Sequence, residues 1–262
     1  MSNDMVGVVQ TSETTFDVVE VLLERGKTRI DTLTDELNIA ESTAYRHLAT
    51  LENRGYVLKD GNHYQASLKF LTIGGYLRRR VPAYPMIKEK VDGLAAETGE
   101  RAQFIVREGD KRVYLYTETG ARPVQTGAYT GRRGLIHASA AGKSILANLS
   151  ESRREAVIDD LEFTQVGPNT ITDPDELEAE LATVREQGYA MNLEESTKGV
   201  HAIGTAVRGK NEIIGALSVS GPATRLKRDR LTDGLLDVVQ AASNELELHI
   251  EHAVSDEGEL DI

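Results

Sequence analysis

TLTDELNIAESTAYRHLATLENRGYVLKDGNHY, residues 32–64, reads as a short helix, a turn, a second helix and a hairpin. Leu33 and Leu37 stand four apart, Asn38-Ile39 breaks that spacing, and Ala44, Leu48 and Leu51 line one side of the next helix. The other side of that helix carries Ser42, Thr43, Tyr45, Arg46 and Thr50, side chains that reach phosphates and base edges in a major groove. A merely solvated face would be richer in Glu and Lys, so the pattern predicts a DNA-reading helix. Tyr56 to Leu58 and His63 to Ala66 flank turn residues Asp60-Gly61-Asn62, a wing whose Lys59 and His63 would touch the DNA backbone.

Upstream, Phe16, Val19, Leu22 and Leu23 recur at helical spacing over Thr14 to Arg25, and Gly26 follows as a stop. The second helix is expected to start between Arg29 and Asp31 and to end at Asn38. The third runs from Glu41 to Arg54. Downstream, Leu68 to Val81 reads as a connecting helix, apolar at Leu68, Leu71, Ile73 and Leu77, interrupted by Gly74-Gly75 and closed by Arg78-Arg79-Arg80. Pro82 and Pro85 mark a boundary. The apolar side of such a linker is most simply covered by its copy in a second subunit, which predicts a homodimer on a pseudopalindromic double-stranded operator.

From Met86 onward helices and strands alternate. Helices are expected over Met86 to Thr98, Ala140 to Leu149, Ser152 to Leu161, Asp175 to Gln187 and Lys227 to His252. Strands are expected over Ala102 to Glu108, Arg112 to Thr119, Tyr189 to Asn192, Val200 to Val207 and Ile213 to Ser220. The fold class is α+β. The domains are residues 1–67, a winged helix-turn-helix; 68–82, a linker helix; 83–253, a sensor domain; and 254–262, an acidic tail expected to be disordered.

The chain of 262 residues has a net charge of -12. Residues 1–80 hold ten Lys or Arg against eleven Asp or Glu, so the acidity lies in the second part. What phosphates meet is local charge, and Arg46, Arg54, Lys59, Lys69 and the run at 78–80 can still form a positive patch. Acidic surplus, 20 Arg against 10 Lys, and no Cys point to a salt-rich cytoplasm such as a halophilic archaeon's. DNA affinity falls by about 0.9 decades per neutralised phosphate for each tenfold rise in salt. In such a cytoplasm, directed contacts and doubled half-sites would outweigh bulk attraction. No apolar run is long enough to cross a membrane and the N-terminus lacks signal-peptide order, so a cytoplasmic protein is expected.

His137-Ala-Ser-Ala-Ala-Gly-Lys-Ser144 passes from loop to helix in small residues. It reads either as an anion site at a helix N-terminus or as a tightly packed helix start. Gly142-Lys143-Ser144 imitates the end of a P-loop, but the position that needs Gly is His137. Ser218 and Ser220, two apart on an apolar strand, face the same way. They suit a small polar ligand or satisfy local backbone groups. His249 and His252 near Glu245 read as a solvated surface, not a metal site, and no G-x-S-x-G elbow occurs. No catalytic residue, metal or cofactor is assigned.

These segments together resemble the IclR family of transcriptional regulators over about Thr14 to Val254. LNIAESTAYRHLATLENRGYV, HASAAGKSILANLSE, REQGYAMNLEESTKGVHAIGTAV and IIGALSVSGPATRL stand in family order and spacing. The resemblance implies a winged helix, a linker helix and a GAF-like effector domain, assembled as a dimer or a dimer of dimers. The effector would be a small metabolite, carboxylate-bearing or sugar-derived. It implies ligand-facing positions at Ala140 and Ala141 through backbone N–H, and at Asn192, Val200, Ala202, Ser218 and Ser220, with His201 as a neighbouring candidate. Where relatives that bind short keto acids carry Asp and Cys, this chain has Asn192 and Ala202, which implies a different effector. Two rival readings are an enzyme carrying a DNA-binding module and a sensor fold that binds only protein.

Overall fold

The computed structural model describes residues 7–81, 83–122, 127–210 and 212–257, with side chains to residue 253. Contacts divide the chain after Arg80 into two compact units. Pro82 and the end of the acidic tail, 258–262, lie outside the described residues.

In the first unit, α1 (Gln10–Arg25), α2 (Ile30–Leu37) and α3 (Glu41–Asn53) pack with a three-stranded antiparallel sheet. Its strands are β1 (Thr28–Arg29), β2 (Val57–Asp60) and β3 (His63–Ala66), in the order β1-β3-β2. Leu33, Ala44, Leu48 and Leu51 are all buried, as their spacing predicts. Asn38 caps α2 in the left-handed conformation, φ 50° and ψ 46°, which Asn tolerates better than most residues. Asp60 pairs with His63 across a two-residue turn, and Gly61 supplies its positive φ of 59°. The buried His47 ring takes a hydrogen bond contact of 2.8 Å with the Thr15 hydroxyl, tying α3 to α1.

Two expectations change here. Val18, Val19, Val21 and Leu22 form the buried side of α1, whereas Phe16 and Leu23 are 67% and 59% exposed on another side. The linker helix α4 (Phe70–Arg79) is continuous through Gly74-Gly75 and buries none of its residues. Leu68, Leu71, Ile73, Tyr76 and Leu77 all stand exposed.

The second unit is built on one antiparallel sheet ordered β6-β5-β4-β9-β8-β7. The strands are β4 (Arg101–Glu108), β5 (Lys111–Thr119), β6 (Arg133–Leu135), β7 (Ala190–Leu193), β8 (Val200–Arg208) and β9 (Ile213–Pro222). On one face lie α5 (Tyr84–Thr98) and the closing helical segment, whose apolar residues form one core with Ala102, Phe104, Ile203, Leu217 and Val219. On the other lie α6 (Ala140–Ala147), α7 (Glu151–Asp159) and α8 (Pro174–Gln187), with Ile105, Tyr114 and Ala216 in theirs. Alternate residues of each strand thus enter opposite cores.

The closing helix is not uniform: α9 (Arg228–Arg230) leads through a π-turn at Leu231–Leu235 into α10 (Leu236–Glu257). Both Leu231 and Leu235 are in the core. Because α10 runs to Glu257, Ser255 to Glu257 are helical in backbone, not the disordered tail expected of them.

Helix α6 sits unusually close to the sheet, and its small residues are the reason. The Ser144 hydroxyl donates to the Gly204 carbonyl at 2.8 Å. A Cβ on Gly204 would lie 2.9 Å from the Ala141 nitrogen and 3.1 Å from the Ala140 carbonyl carbon, backbone atoms that cannot swing aside. Replacing Gly204 with Ala should therefore cost about 1–3 kcal/mol in urea unfolding. A variant as stable as the parent would mean that the helix start is free to shift.

Candidate functional site

The exposed side of α3 presents Ser42, Tyr45, Arg46 and Thr50, with Thr43 half-buried beside them. Arg46 lies along the helix: its Nε donates to the Ser42 carbonyl at 3.3 Å and one terminal nitrogen to the Thr43 hydroxyl at 3.4 Å. Thr50 donates back to the Arg46 carbonyl at 2.8 Å. In the wing Lys59 is exposed, its ammonium 5.5 Å from the Tyr64 ring centre, and His63 is half-buried. Asp60, the acid nearest the turn, is bridged by Lys27 at 2.5 Å. That pairing partly offsets a charge that would repel phosphate.

The second site is a cavity in the sensor unit, between the sheet and the start of α6. Ala140, Ala141, Asn192, Val200, Ala202, Ser218 and Ser220 all line it. Register explains the gathering: Asn192 pairs with Ala202, and Ala202 with Ser220, so the three form one row across β7, β8 and β9. His201 does not join them. Between Val200 and Ala202 on an extended strand it points to the opposite face, and its Nδ1 lies 2.8 Å from the Leu226 carbonyl.

At the head of α6 the Ser139 hydroxyl accepts from the Gly142 N–H at 3.0 Å, a side-chain cap. The N–H groups of Ala140 and Ala141 precede any helical acceptor and carry the positive end of the helix dipole. The packed reading of the small-residue run describes this helix start, and Ala140 and Ala141 also line the cavity.

Gln103 on β4, which the sequence reading omitted, joins the two serines. Its Nε2 donates to the Ser218 oxygen at 3.2 Å, and the Ser220 hydroxyl donates to its Oε1 at 3.2 Å. Ser218 thus keeps its own O–H for another acceptor. Asn192 is different, because its amide is committed internally. Its Nδ2 donates to the Ala138 carbonyl at 3.0 Å and to Ser196 at 2.8 Å, while its Oδ1 accepts from the Glu195 N–H at 3.0 Å. It braces the loop after β7 against the loop before α6. Arg112, Tyr114, Arg132, Ser196 and Thr197 complete the polar wall and were also missed. Strand β4, RAQFIVRE, mixes charged, polar and apolar residues, so nothing local singled out Gln103.

Lys143 is not a phosphate ligand in this fold. It is 1% exposed, and its Nζ lies 2.7 Å from a Glu180 oxygen and 2.8 Å from a Glu195 oxygen. Burial raises the Glu195 carboxyl and the Lys143 charge opposes that rise. His249 and His252 are exposed on α10, Glu245 pairs with Lys90 at 2.7 Å, and among the described residues no metal-holding group forms.

A winged-helix unit joined to a sheet domain that encloses a polar cavity defines the class of one-component, ligand-responsive DNA-binding regulators. The chain belongs to the IclR family. Residues 13–61 match the IclR helix-turn-helix domain and residues 80–248 the bacterial transcriptional regulator IclR C-terminal domain. It is 35% identical over 242 residues to the probable HTH-type transcriptional regulator ArcR of Halobacterium salinarum, which covers 90% of this chain and 92% of that protein. It is 27% identical over 232 residues to KdgR of Dickeya chrysanthemi, 87% of this chain and 76% of that one. The Thermotoga maritima IclR structure matches with a TM-score of 0.79 at 25% identity, over 92% of this chain and 98% of that chain. An IclR homologue from Microbacterium hydrocarbonoxydans complexed with 4-hydroxybenzoate has a TM-score of 0.77 at 19% identity, with the same coverage, and shares the fold. The protein is thus a DNA-binding transcriptional regulator with an effector-binding C-terminal domain, not an enzyme. No described helix is long and apolar enough to cross a membrane.

His137, just before α6, is wholly buried against Phe163, and neither ring nitrogen has a hydrogen-bond partner among the described residues. Burial first, then Lys111 and Lys143, hold its imidazole below the ordinary value of 6.5. The unfolded chain then takes up the proton first, so this contribution is intact above about pH 6.5 and is lost as pH falls toward the depressed folded value. Urea unfolding of His137→Phe should lose less stability than the parent between about pH 8 and about pH 5.5. Equal losses would show that His137 titrates as it does in the unfolded chain.

Proposed function

We propose that this protein is a homodimeric regulator, able to pair further into tetramers, whose hold on a pseudopalindromic operator is set by a small carboxylate-bearing or sugar-derived metabolite in the cavity. The observation that carries the effector reading is the convergence of the Ala140 and Ala141 N–H groups with the free hydroxyl hydrogen of Ser218 on one cavity. A carboxylate accepts from all three. The bound acid of the Microbacterium hydrocarbonoxydans homologue is of that chemical type.

In this reading α3 enters the major groove, Ser42, Thr43, Tyr45, Arg46 and Thr50 contact bases or phosphates, and Lys59 and His63 touch the backbone. The exposed apolar residues of α1 and α4 pair with those of a second copy. Ligand occupancy biases how two sensor units pair, and residues 68–82 pass that bias to the half-site spacing.

Arg46→Ala should weaken binding to an in vitro selected operator by about 1–3 kcal/mol at fixed salt if Arg46 forks onto a guanine. Unchanged affinity would remove Arg46 from the interface. For the cavity, calorimetry of the full chain against sugar acids, keto acids and aromatic acids should find a ligand whose affinity drops about tenfold or more in the double variant Ser218→Ala, Ser220→Ala. Undiminished binding by that variant would place the effector elsewhere.

A further inference from the structure

The cavity wall opposite the helix start is built from β5 and the residues that lead into β6, and it is cationic. Arg112 and Arg132 both line the cavity, together with Tyr114. Among the described residues no Asp or Glu lines it, although the chain holds 42 of them against 30 Lys and Arg. The Arg112 Nε is buried with no hydrogen-bond partner among the described residues. Two other cations of this unit, Lys143 and Arg225, are matched to acids at short range, by Glu180 and Glu195 and by Glu100. A guanidinium withdrawn from water without a carboxylate is costly, and its natural complement is a planar anion that accepts two parallel hydrogen bonds.

The backbone is shaped to keep Arg112 in this place. Arg112 pairs with Gly134 across β5 and β6, and its side chain lies over that glycine. A Cβ on Gly134 would come within 2.9 Å of the Arg112 Nε and 3.1 Å of a terminal nitrogen. The Tyr114 ring centre is 5.4 Å from the guanidinium carbon and covers it further. Burial, with Arg132 nearby as a second positive charge, lowers the Arg112 pKa, which marks a site where positive charge is under-compensated.

We propose that the effector carries two anionic groups, one received at the start of α6 with Ser218 and the other by the Arg112 guanidinium, so that the preferred ligand is a short dicarboxylate. This rests on the carboxylate reading of the cavity given above and adds the second charge. The cavity is small, about 40 Å³, which argues for a short ligand and against a bulky one. On the same scale one water needs about 10–15 Å³. The neutral amide of Asn192 and the methyl of Ala202 place no acid near either end.

The test is calorimetry of the full chain with matched pairs of acids: propionate with malonate, butyrate with succinate, and valerate with glutarate. At least one diacid should bind about tenfold to a hundredfold more tightly than its monoacid. Arg112→Gln should bring that diacid down toward the level of its monoacid, costing the diacid at least about tenfold more affinity than it costs the monoacid. Gly134→Ala, which keeps the charge but displaces the guanidinium, should reduce the preference in the same direction, with thermal unfolding confirming that both variants fold. Monoacids that bind as well as diacids would overturn the two-anion inference and leave the single-carboxylate reading standing. A diacid preference that survives Arg112→Gln would overturn the role of Arg112, and so would an equal loss for both acids. Failure of every acid to bind would overturn the carboxylate reading itself.

Discussion

The sensor unit depends on how closely the first turn of α6 lies on β8. Contact at backbone distance requires Gly204 beneath the helix and a run of small residues within it, and Ser144 then anchors the helix to the Gly204 carbonyl. The same approach brings the N–H groups of Ala140 and Ala141 to the edge of a cavity. A larger residue at either surface would lift the helix and open the polar wall to bulk water, where a helix-end dipole has little effect. Helix packing and the shape of the cavity are one constraint here.

Charge is distributed around that constraint in two ways. The buried ammonium of Lys143 is neutralised by Glu180 and Glu195, which fastens α6 to α8 and to the loop after β7. Asn192 closes the same loop from the cavity side with three internal hydrogen bonds. The cavity itself is left with donors and two arginines and no acid. In a chain of net charge -12 this is a local inversion of sign. The DNA-reading unit uses a similar economy, since Asp60 at the wing is bridged by Lys27 while Lys59 stays exposed.

Much of the fold was legible because local periodicity and turn chemistry carry it. Leu33, Ala44, Leu48 and Leu51 fall at helical spacing and are buried, and Asp60-Gly61-Asn62 announces the wing. Ser218 and Ser220 declare a shared face by their spacing alone. Gln103 could not be found that way, because β4 meets β9 across more than a hundred residues, and Arg112 is placed by the pairing of β5 with β6, which no local pattern specifies. His201, a neighbouring candidate in the sequence, lies apart from Val200 and Ala202 by strand alternation and meets the Leu226 carbonyl instead. Phe16 and Leu23 expose a general limit: helical spacing marks an apolar side but does not say whether its partner lies in the same chain.

The most direct test of the central claim, that a ligand anion binds on the backbone at the start of α6, is amide hydrogen exchange of the full chain with and without saturating malonate, succinate and glutarate in turn. Protection should rise in the segment 136–147, centred on Ala140 and Ala141, and the rise should vanish when Ser218 and Ser220 are both replaced by Ala. Protection confined to other segments, with 136–147 exchanging at the same rate in both conditions, would contradict the claim.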